Sequence, residues 1–405
     1  MVGIRQHRVA DQAGSVVNMS AFKQRAIFDD VVGELSAALF SSFRRKDQRH
    51  KAETYLHGLL STVGRKTIRN IAAQVGGPAD TEQSLHHFIS SSPWDWRPVR
   101  AALTDYLEQM SSPQAWVVRA MQIPKGGEYS VGVDRIFAPH LGEMFRGQQA
   151  FGVWLASEEL SAPVNWRMLL SDQWISDPER RGRAGVPDGA RPETPDECAV
   201  AAVLDTAQYG SPSRRPVVID LRRGNPHTAM PHLTASGVPV LARVSSSCRV
   251  TVADRALPGF GAGALPARRI LEAVKGLRRP VSWADPAAHG ATRTSLVAAI
   301  PVSFPSPEGV RPRPLLLLGE WLDPSRPPVQ LWLTDLTQMP MAALLRLTKL
   351  THRVDRDFAH VGTTTGLLDY AGRSFQGWHR HITLASAAHA AHVLTAENYV
   401  MGRAA

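Results

Sequence analysis

The chain has 405 residues and 46 Lys+Arg against 36 Asp+Glu, a formal net charge of +10. Apolar residues make up 43% and charged residues 20%, which excludes wholesale disorder and leaves enough chain for two or three structural units. The basic balance favours a polyanionic partner, nucleic acid first and an anionic membrane surface second. Only two cysteines, Cys198 and Cys248, are present. They exclude a disulfide framework and a Cys-rich zinc site, and fit a reducing cytoplasm. The first residues lack the apolar stretch of a signal peptide. The longest purely aliphatic run, Leu315 to Leu318, is far short of the roughly 20 residues that span a bilayer. The expectation is a soluble cytoplasmic protein associated with the nucleoid, with no membrane partner.

In chain order, residues 1–20 lack periodicity and read as a flexible arm. Residues 21–112 read as a helical N-terminal domain for DNA binding. Phe28, Val31, Val32, Leu35, Leu39 and Phe40 recur at helical spacing, as do Tyr55, Leu56, Leu59 and Leu60. Between these helices, Arg44 to Lys51 carries five cations against one anion, suited to phosphate contact or to a solvated helix end. Two short helical segments, Thr67–Val75 and Thr81–Ile89, flank Gly76-Gly77-Pro78 in the outline of a helix-turn-helix.

From Ala115 the period changes to that of a strand. Ala115–Ile123, Tyr129–Pro139 and Arg146–Ser157 are three successive strand candidates. A polar, Arg-rich loop follows over 172–196, then a helix over Glu197–Tyr209. A buried-type strand ends at Asp220, and a second short strand covers Val238–Val244. Three strands, a helix, a parallel strand ending in Asp and a further α/β unit is the order of a ribonuclease-H-like core, here in its first part over 113–248. Residues 249–335 read as a β-rich insertion, with runs at Ser295–Ser303, Pro314–Trp321 and Val329–Leu336. Residues 336–405 return to helix, Met341–Phe358 and Ile382–Tyr399, completing the core. The fold class expected is therefore α/β, with a helical N-terminal domain and a β-rich insertion before the C-terminal helices.

Longer strings carry a family resemblance. Trp116–Val133 resembles the first-strand segment of bacterial DDE-type insertion-sequence transposases. Ala162–Leu170, with Trp174 and Asp177–Arg181, is similar to the segment these proteins carry after their third strand. Arg353–Phe358 and Tyr370–His381 resemble their C-terminal signature, and Ser91–Trp96 matches as well. The resemblance runs from about residue 42 to about residue 395. It implies a site where three carboxylates hold two divalent metals about 3.5–4 Å apart at a phosphodiester, with Mg²⁺ or Mn²⁺ as the cofactor of a working site.

The chain departs from that pattern. Where the resemblance implies the first Asp, the chain has Arg119-Ala120. The second corresponds to Asp220, and the third, a Glu in the family, corresponds to Asp355. The family's Lys one to two turns later falls at Gly362, and the Glu expected before Gly372 is Ala371. A guanidinium facing this site would put a fixed cation where a divalent ion would sit. Asp220 and Asp355 therefore read as remnants of catalytic, metal-binding carboxylates, with no cofactor expected. Asp134, Asp205 and Asp369 are other carboxylates, and no spacing selects one of them as a substitute.

The expected function is a DNA-binding protein of transposase descent, catalytically inactive and repurposed for a regulatory or DNA-structural role. Its partner would be double-stranded DNA, with a homodimer open as the assembly. Candidate phosphate contacts are Arg44, Arg45, Lys46, Arg49 and Lys51 of the basic run and Lys66 and Arg69 beside the helix-turn-helix. Lys125, Arg373, His379 and Arg380, in the family-like strings, complete the set. Two alternatives stand beside this reading. One is an active strand transferase with an atypical metal site. The other is small-molecule chemistry around Arg119, Asp220, Asp355 and Arg373. His379, His381, His389 and His392 have no carboxylate or Cys spaced for a metal and read as packing or phosphate contacts. Six tryptophans from Trp94 to Trp174 mostly alternate with aliphatic residues and read as core. No nucleophile elbow or phosphate loop is present.

Overall fold

The computed structural model describes residues 24–127, 129–138, 142–209, 215–285, 291–306 and 312–404. The arm expected over 1–20 lies outside them. Within them the chain is mixed α/β, with one large sheet of both parallel and antiparallel strands covered by helices. No described helix is long and apolar enough to cross a membrane.

Five helices come first: α1 (24–40), α2 (Lys46–Ser61), α3 (Ile68–Val75), α4 (Thr81–Ser90) and α5 (Trp96–Met110). The 3-4 spacing of the sequence becomes their shared core, with Leu35, Leu39, Leu56, Leu59, Phe88 and Leu103 almost fully buried. Thr67 caps α3 by accepting the Asn70 N–H, and Gly76 and Gly77 turn the chain at φ 68° and 110°, a region glycine enters without cost.

The central sheet begins with β1 (Ala115–Pro124), β2 (Asp134–Ala138), β3 (Glu143–Ala156) and β4 (Ser161–Met168). β3 pairs antiparallel with β1 on one edge and with β2 and β4 on the other. Two short helices follow, α6 (Asp172–Ser176) and α7 (Pro178–Ala184), then α8 (Pro195–Tyr209). β5 (Val217–Asp220) pairs parallel with β1, and after α9 (Pro226–Ala235) β6 (Val240–Arg243) pairs parallel with β5.

Four strands thus stand where the sequence pattern indicates three. β4 escapes the alternation rule because it is buried nearly throughout and contains Pro163. A bulge at Val153/Trp154 accommodates it by shifting the register opposite Pro163 and Asn165. The second strand is also shorter than Tyr129–Pro139, because the chain turns through Gly132 at φ 70° before pairing at Asp134. The polar stretch 172–196 holds α6 and α7 rather than loop alone; Asp177 caps α7 through the Glu179 and Arg180 N–H groups.

The β-rich segment supplies β7 (Arg249–Val252), β8 (Ala264–Pro266), β9 (Arg279–Asp285), β10 (Ala291–Ser303), β11 (Leu315–Trp321) and β12 (Gln330–Thr334), with α10 (Ala267–Ala273) among them. β12 pairs antiparallel with β6, so this segment extends the same sheet. α11 (Met341–Asp357) then crosses back, a short π-helical turn covers Phe358–Gly362, and α12 (Phe375–Ala404) closes the chain. Ala385, Ala387, Ala388, Ala390 and Ala391 keep α12 slim, so it packs closely between β4 and helices α2, α4 and α5.

Candidate functional site

The carboxyl ends of the parallel strands β1, β5 and β6 gather the residues on which the chemistry turns. Asp220 and Arg243 are register partners at the ends of β5 and β6. Arg119 lies two residues beyond Val117, which pairs with Val218, so it stands level with Asp220. Successive side chains on a strand point to opposite faces. Arg119 accordingly turns toward α11, whereas Ala120 opens onto the other face. Of Arg119 and Ala120, it is the arginine that faces Asp355.

Arg119 is fixed there. Its Nε donates to Asp355 Oδ1 over 3.0 Å, its Nη1 donates to the Ala120 carbonyl over 3.1 Å, and its Cζ lies 3.6 Å from the centroid of the Phe358 ring. Burial lowers the Arg119 pKa and Asp355 opposes that shift; a guanidinium remains charged throughout. Asp220 is held by its neighbour. Arg222 Nε reaches both carboxylate oxygens at 2.9 and 3.0 Å, and Arg222 Nη2 reaches Oδ2 at 2.6 Å. The Arg222 N–H closes the turn on Oδ1 at 3.1 Å. Arg243 is a third arginine at this edge, its buried Nε without a hydrogen-bond partner among the described residues. Burial and Arg222 lower the Arg243 pKa, while Asp220, Glu320 and Asp355 oppose them.

These residues do not fit a pair of divalent cations. A guanidinium, that of Arg119, stands beside Asp355 and takes one of its oxygens, and Asp220 is chelated by Arg222. Among the described residues no group of three or more His, Cys, Asp or Glu side chains is placed to hold a metal. Asp205 pairs with Arg167 at 3.0 Å, and Asp369 accepts from the Lys66 main-chain N–H. Gly362 ends the π-helical turn and Ala371 is exposed in the following loop.

The candidate phosphate contacts divide by exposure. Arg44, Arg45, Lys46, Arg49, Arg69 and Arg373 are exposed and Lys51 is half-buried. Arg45 also pairs with Asp47 at 2.9 Å. The remaining four are turned inward. Lys66 is buried with its ammonium on the Thr62 carbonyl. Lys125 donates to the Tyr370 and Gly372 carbonyls at 2.8 and 3.1 Å, and burial, aided by Arg65, lowers its pKa to about 8. Arg380 donates to the Trp94 and Ile89 carbonyls, both at 3.1 Å. His379 is stacked on Trp96 with ring centroids 4.6 Å apart. Groups enclosed this way tie elements together and have no path to a phosphate, and burial beside Arg100 holds His379 well below the ordinary histidine pKa, so these four are left out of the interface proposed below.

The other histidines and the tryptophans are largely structural. His381 bridges Tyr55 Oη and the Gly366 carbonyl, and His389 contacts the Ser161 carbonyl. Trp94, Trp116, Trp154, Trp166 and Trp174 are buried. Cys198 and Cys248 are buried free thiols, and burial pushes the Cys248 pKa up to about 11.

On the face of β1 opposite Arg119 lies a cleft of about 970 Å³, which the motif strings did not reveal. Ala120, Gln122, Gln149 and Phe151 form its floor, and Phe137 and Arg223 stand at its walls. The available signal was the alternation of Ala120 and Gln122 along β1, legible only once the cross-strand register to β3 is known.

Residues 38–299, well over half the chain, match a family described as DDE superfamily endonucleases. The chain is also 29% identical over 157 residues to a probable transposase for insertion sequence element IS701 from Microchaete diplosiphon; that match spans 38% of this chain and 37% of that protein. The structure is similar to a chain in the cryo-EM structure of the piggyBac transposase synaptic complex with hairpin DNA. There the TM-score is 0.39 at 12% identity, over 94% of this chain and 76% of that one, too slight to define the fold. The chain belongs to the DDE superfamily endonuclease family. The likeness to DDE-type insertion-sequence transposases expected from the sequence is borne out by the family match over residues 38–299 and by the IS701 relative.

Proposed function

We propose that this chain is a DNA-binding protein of transposase descent whose strand-cutting centre has been replaced by an arginine–aspartate ion pair. The observation that carries the proposal is Arg119, 3.0 Å from Asp355 and stacked over Phe358. Two-metal phosphoryl chemistry needs converging oxygen ligands, and a fixed guanidinium among them repels the cations. The strand order β4-β3-β1-β5-β6, with the first three antiparallel and the last three parallel, supports a ribonuclease-H-like reading of the core. The net charge of +10 and the exposed cations around α2 and α3 support phosphate-backbone contact with double-stranded DNA.

Gel-shift titration of the purified chain on duplex DNA, run in parallel with a nicking assay in Mg²⁺ and Mn²⁺, tests this. The expected result is binding that weakens steeply with salt and no metal-dependent nicks. Affinity no greater than that of a charge-matched control protein would remove the DNA-binding half of the reading.

A further inference from the structure

The cleft behind Arg119 has a built interior that the ion-pair centre does not use. Gln122 on β1 and Gln149 on β3 are register partners, so their side chains stand together on the floor. The next pair on the same face is Ala120 with Phe151, and the alanine leaves the floor open. Gln122 spends Nε2 on the Phe137 carbonyl at 3.3 Å, which leaves its Oε1 for a ligand. The Gln149 amide makes no hydrogen bond with another described residue. Ser171, on the same lining, has a buried hydroxyl without a partner.

The mouth is an aromatic ring facing a cation. Phe137 is 46% exposed, so a face of its ring is open to a ligand at the mouth. Arg223, from the loop after β5, places its Cζ 5.7 Å from the Phe137 centroid, so the two side chains span the opening. Three acids and three arginines line the cleft, and one acid and one arginine pair with each other. Asp220 is chelated by Arg222, and Asp196 accepts the Asn225 N–H at 2.9 Å. Asp134 likewise accepts a main-chain N–H, that of Arg135. Among the described residues neither the Arg135 nor the Arg223 guanidinium is paired with a carboxylate, so both are placed to meet an anion at the mouth.

We propose that this cleft is a nucleotide-binding site, with a base stacked on Phe137, its polar edge against Gln122 and Gln149, and its phosphate held by Arg135 and Arg223. The ligand class follows from the lining. A planar ring matches the exposed phenyl, adjacent amides match an edge of alternating donors and acceptors, and arginines match a phosphate. A purely apolar ligand would leave Gln122 Oε1, the Gln149 amide and the Ser171 hydroxyl without partners. The cleft also has the size of sites that enclose ligands of this mass, roughly 300–1,000 Å³. A free mononucleotide and an unpaired nucleotide of a DNA strand present the same chemistry. The second source rests on the DNA-binding reading; the first does not.

The test uses the full chain with three probes: deoxyadenosine monophosphate by calorimetry, a single-stranded oligonucleotide carrying one 2-aminopurine by fluorescence, and duplex DNA by gel shift. Ala120→Phe fills the cleft from an exposed position, and Gln149→Leu removes an amide without adding bulk. The expected result is binding of the mononucleotide that falls at least about tenfold in both variants, with duplex affinity unchanged. A response from the 2-aminopurine strand as well assigns the site to unpaired DNA, and its silence assigns the site to free nucleotides. If neither probe binds, or both variants bind like the parent, the proposal is overturned. If Ala120→Phe does not fold, Gln149→Leu alone decides. Loss of duplex binding by the parent would sink the DNA reading and leave the mononucleotide result standing.

Discussion

Arg119 on β1 and Asp355 on α11 meet at 3.0 Å, and the same guanidinium lies over Phe358 at the end of that helix. The pair joins the central strand of the sheet to the helix that crosses it. Its energetic weight is modest: Asp355 is 68% exposed, and a pair so screened contributes roughly 0–1 kcal/mol. Its chemical weight is larger, because it fixes a positive charge between the two carboxylates Asp220 and Asp355, which on the proposed reading would have held a metal.

Replacing that charge should change what the site prefers to bind. Arg119→Asp puts two carboxylates side by side and removes the contact with Phe358. The variant should melt a few degrees below the parent in chelator, since about 1 kcal/mol shifts Tm by roughly 2–4 °C in a domain of 150–250 residues. Millimolar Mn²⁺ should restore part of that loss in the variant and leave the parent unmoved. Thermal melts with and without Mn²⁺ check this, and equal responses from the two proteins would contradict it.

A second ion pair is fully enclosed. Lys349 on α11 reaches both oxygens of Glu320 on β11 at 2.6 Å, with side-chain exposures of 4% and 1%. Ser295 donates to the same carboxylate at 2.6 Å, and Trp283 donates to Ser295 at 2.9 Å. Lys349→Met leaves Glu320 buried without its cation and should cost about 3–5 kcal/mol. The double change Lys349→Met with Glu320→Gln should recover much of this loss. Urea midpoints measure both, and a double variant no better than the single one would show that packing outweighs charge here.

Two buried histidines set an acid limit. Burial holds His381 and His389 down to about 4, while hydrogen bonds to the Gly366 and Ser161 carbonyls oppose that shift. An unfolded histidine titrates near 6.5. The unfolded chain therefore binds more protons between these values, and stability falls as pH drops from about 6.5 to about 4, by an order of a few kcal/mol for the pair. Above pH 7 both are neutral in either state and add no slope. Urea midpoints over pH 7.5 to 4 should show the decline, and His381→Gln should flatten it. An unchanged slope in that variant would assign the decline to other groups.

The exposed cations should act on DNA uniformly across sequences. Arg44→Ala, Lys46→Ala and Arg69→Ala should each weaken duplex binding and lower the slope of log affinity against log salt by about 1, while Lys125→Met should leave the slope unchanged. Filter binding from 50 to 300 mM salt measures this. Equal slopes for all four variants would place the DNA on another face.

Much of this was legible from the residues. The helices of the N-terminal unit follow from the spacing of Leu35, Leu39, Leu56 and Leu59, and β5 from the short apolar run that ends at Asp220. The pairing of Arg119 with Asp355 was not, because it depends on which face of β1 meets a helix more than 200 residues later. β4 was missed because a strand buried on both faces and carrying a proline shows no alternation. Arg380 and His379 looked like surface cations, yet each sits beside main-chain carbonyls or rings contributed by distant elements, and Lys66 is buried with its ammonium on the nearby Thr62 carbonyl. The composition of a local string cannot reveal such partners.

The most direct test of the central claim is a nicking assay on supercoiled DNA that contains the bound target, with purified chain in Mg²⁺ or Mn²⁺. An ion pair in place of the first metal ligand predicts no nicks above the buffer control in either metal, together with intact, salt-sensitive binding to the same DNA. Metal-dependent nicking by the parent, abolished by Asp220→Asn or Asp355→Asn, would contradict it.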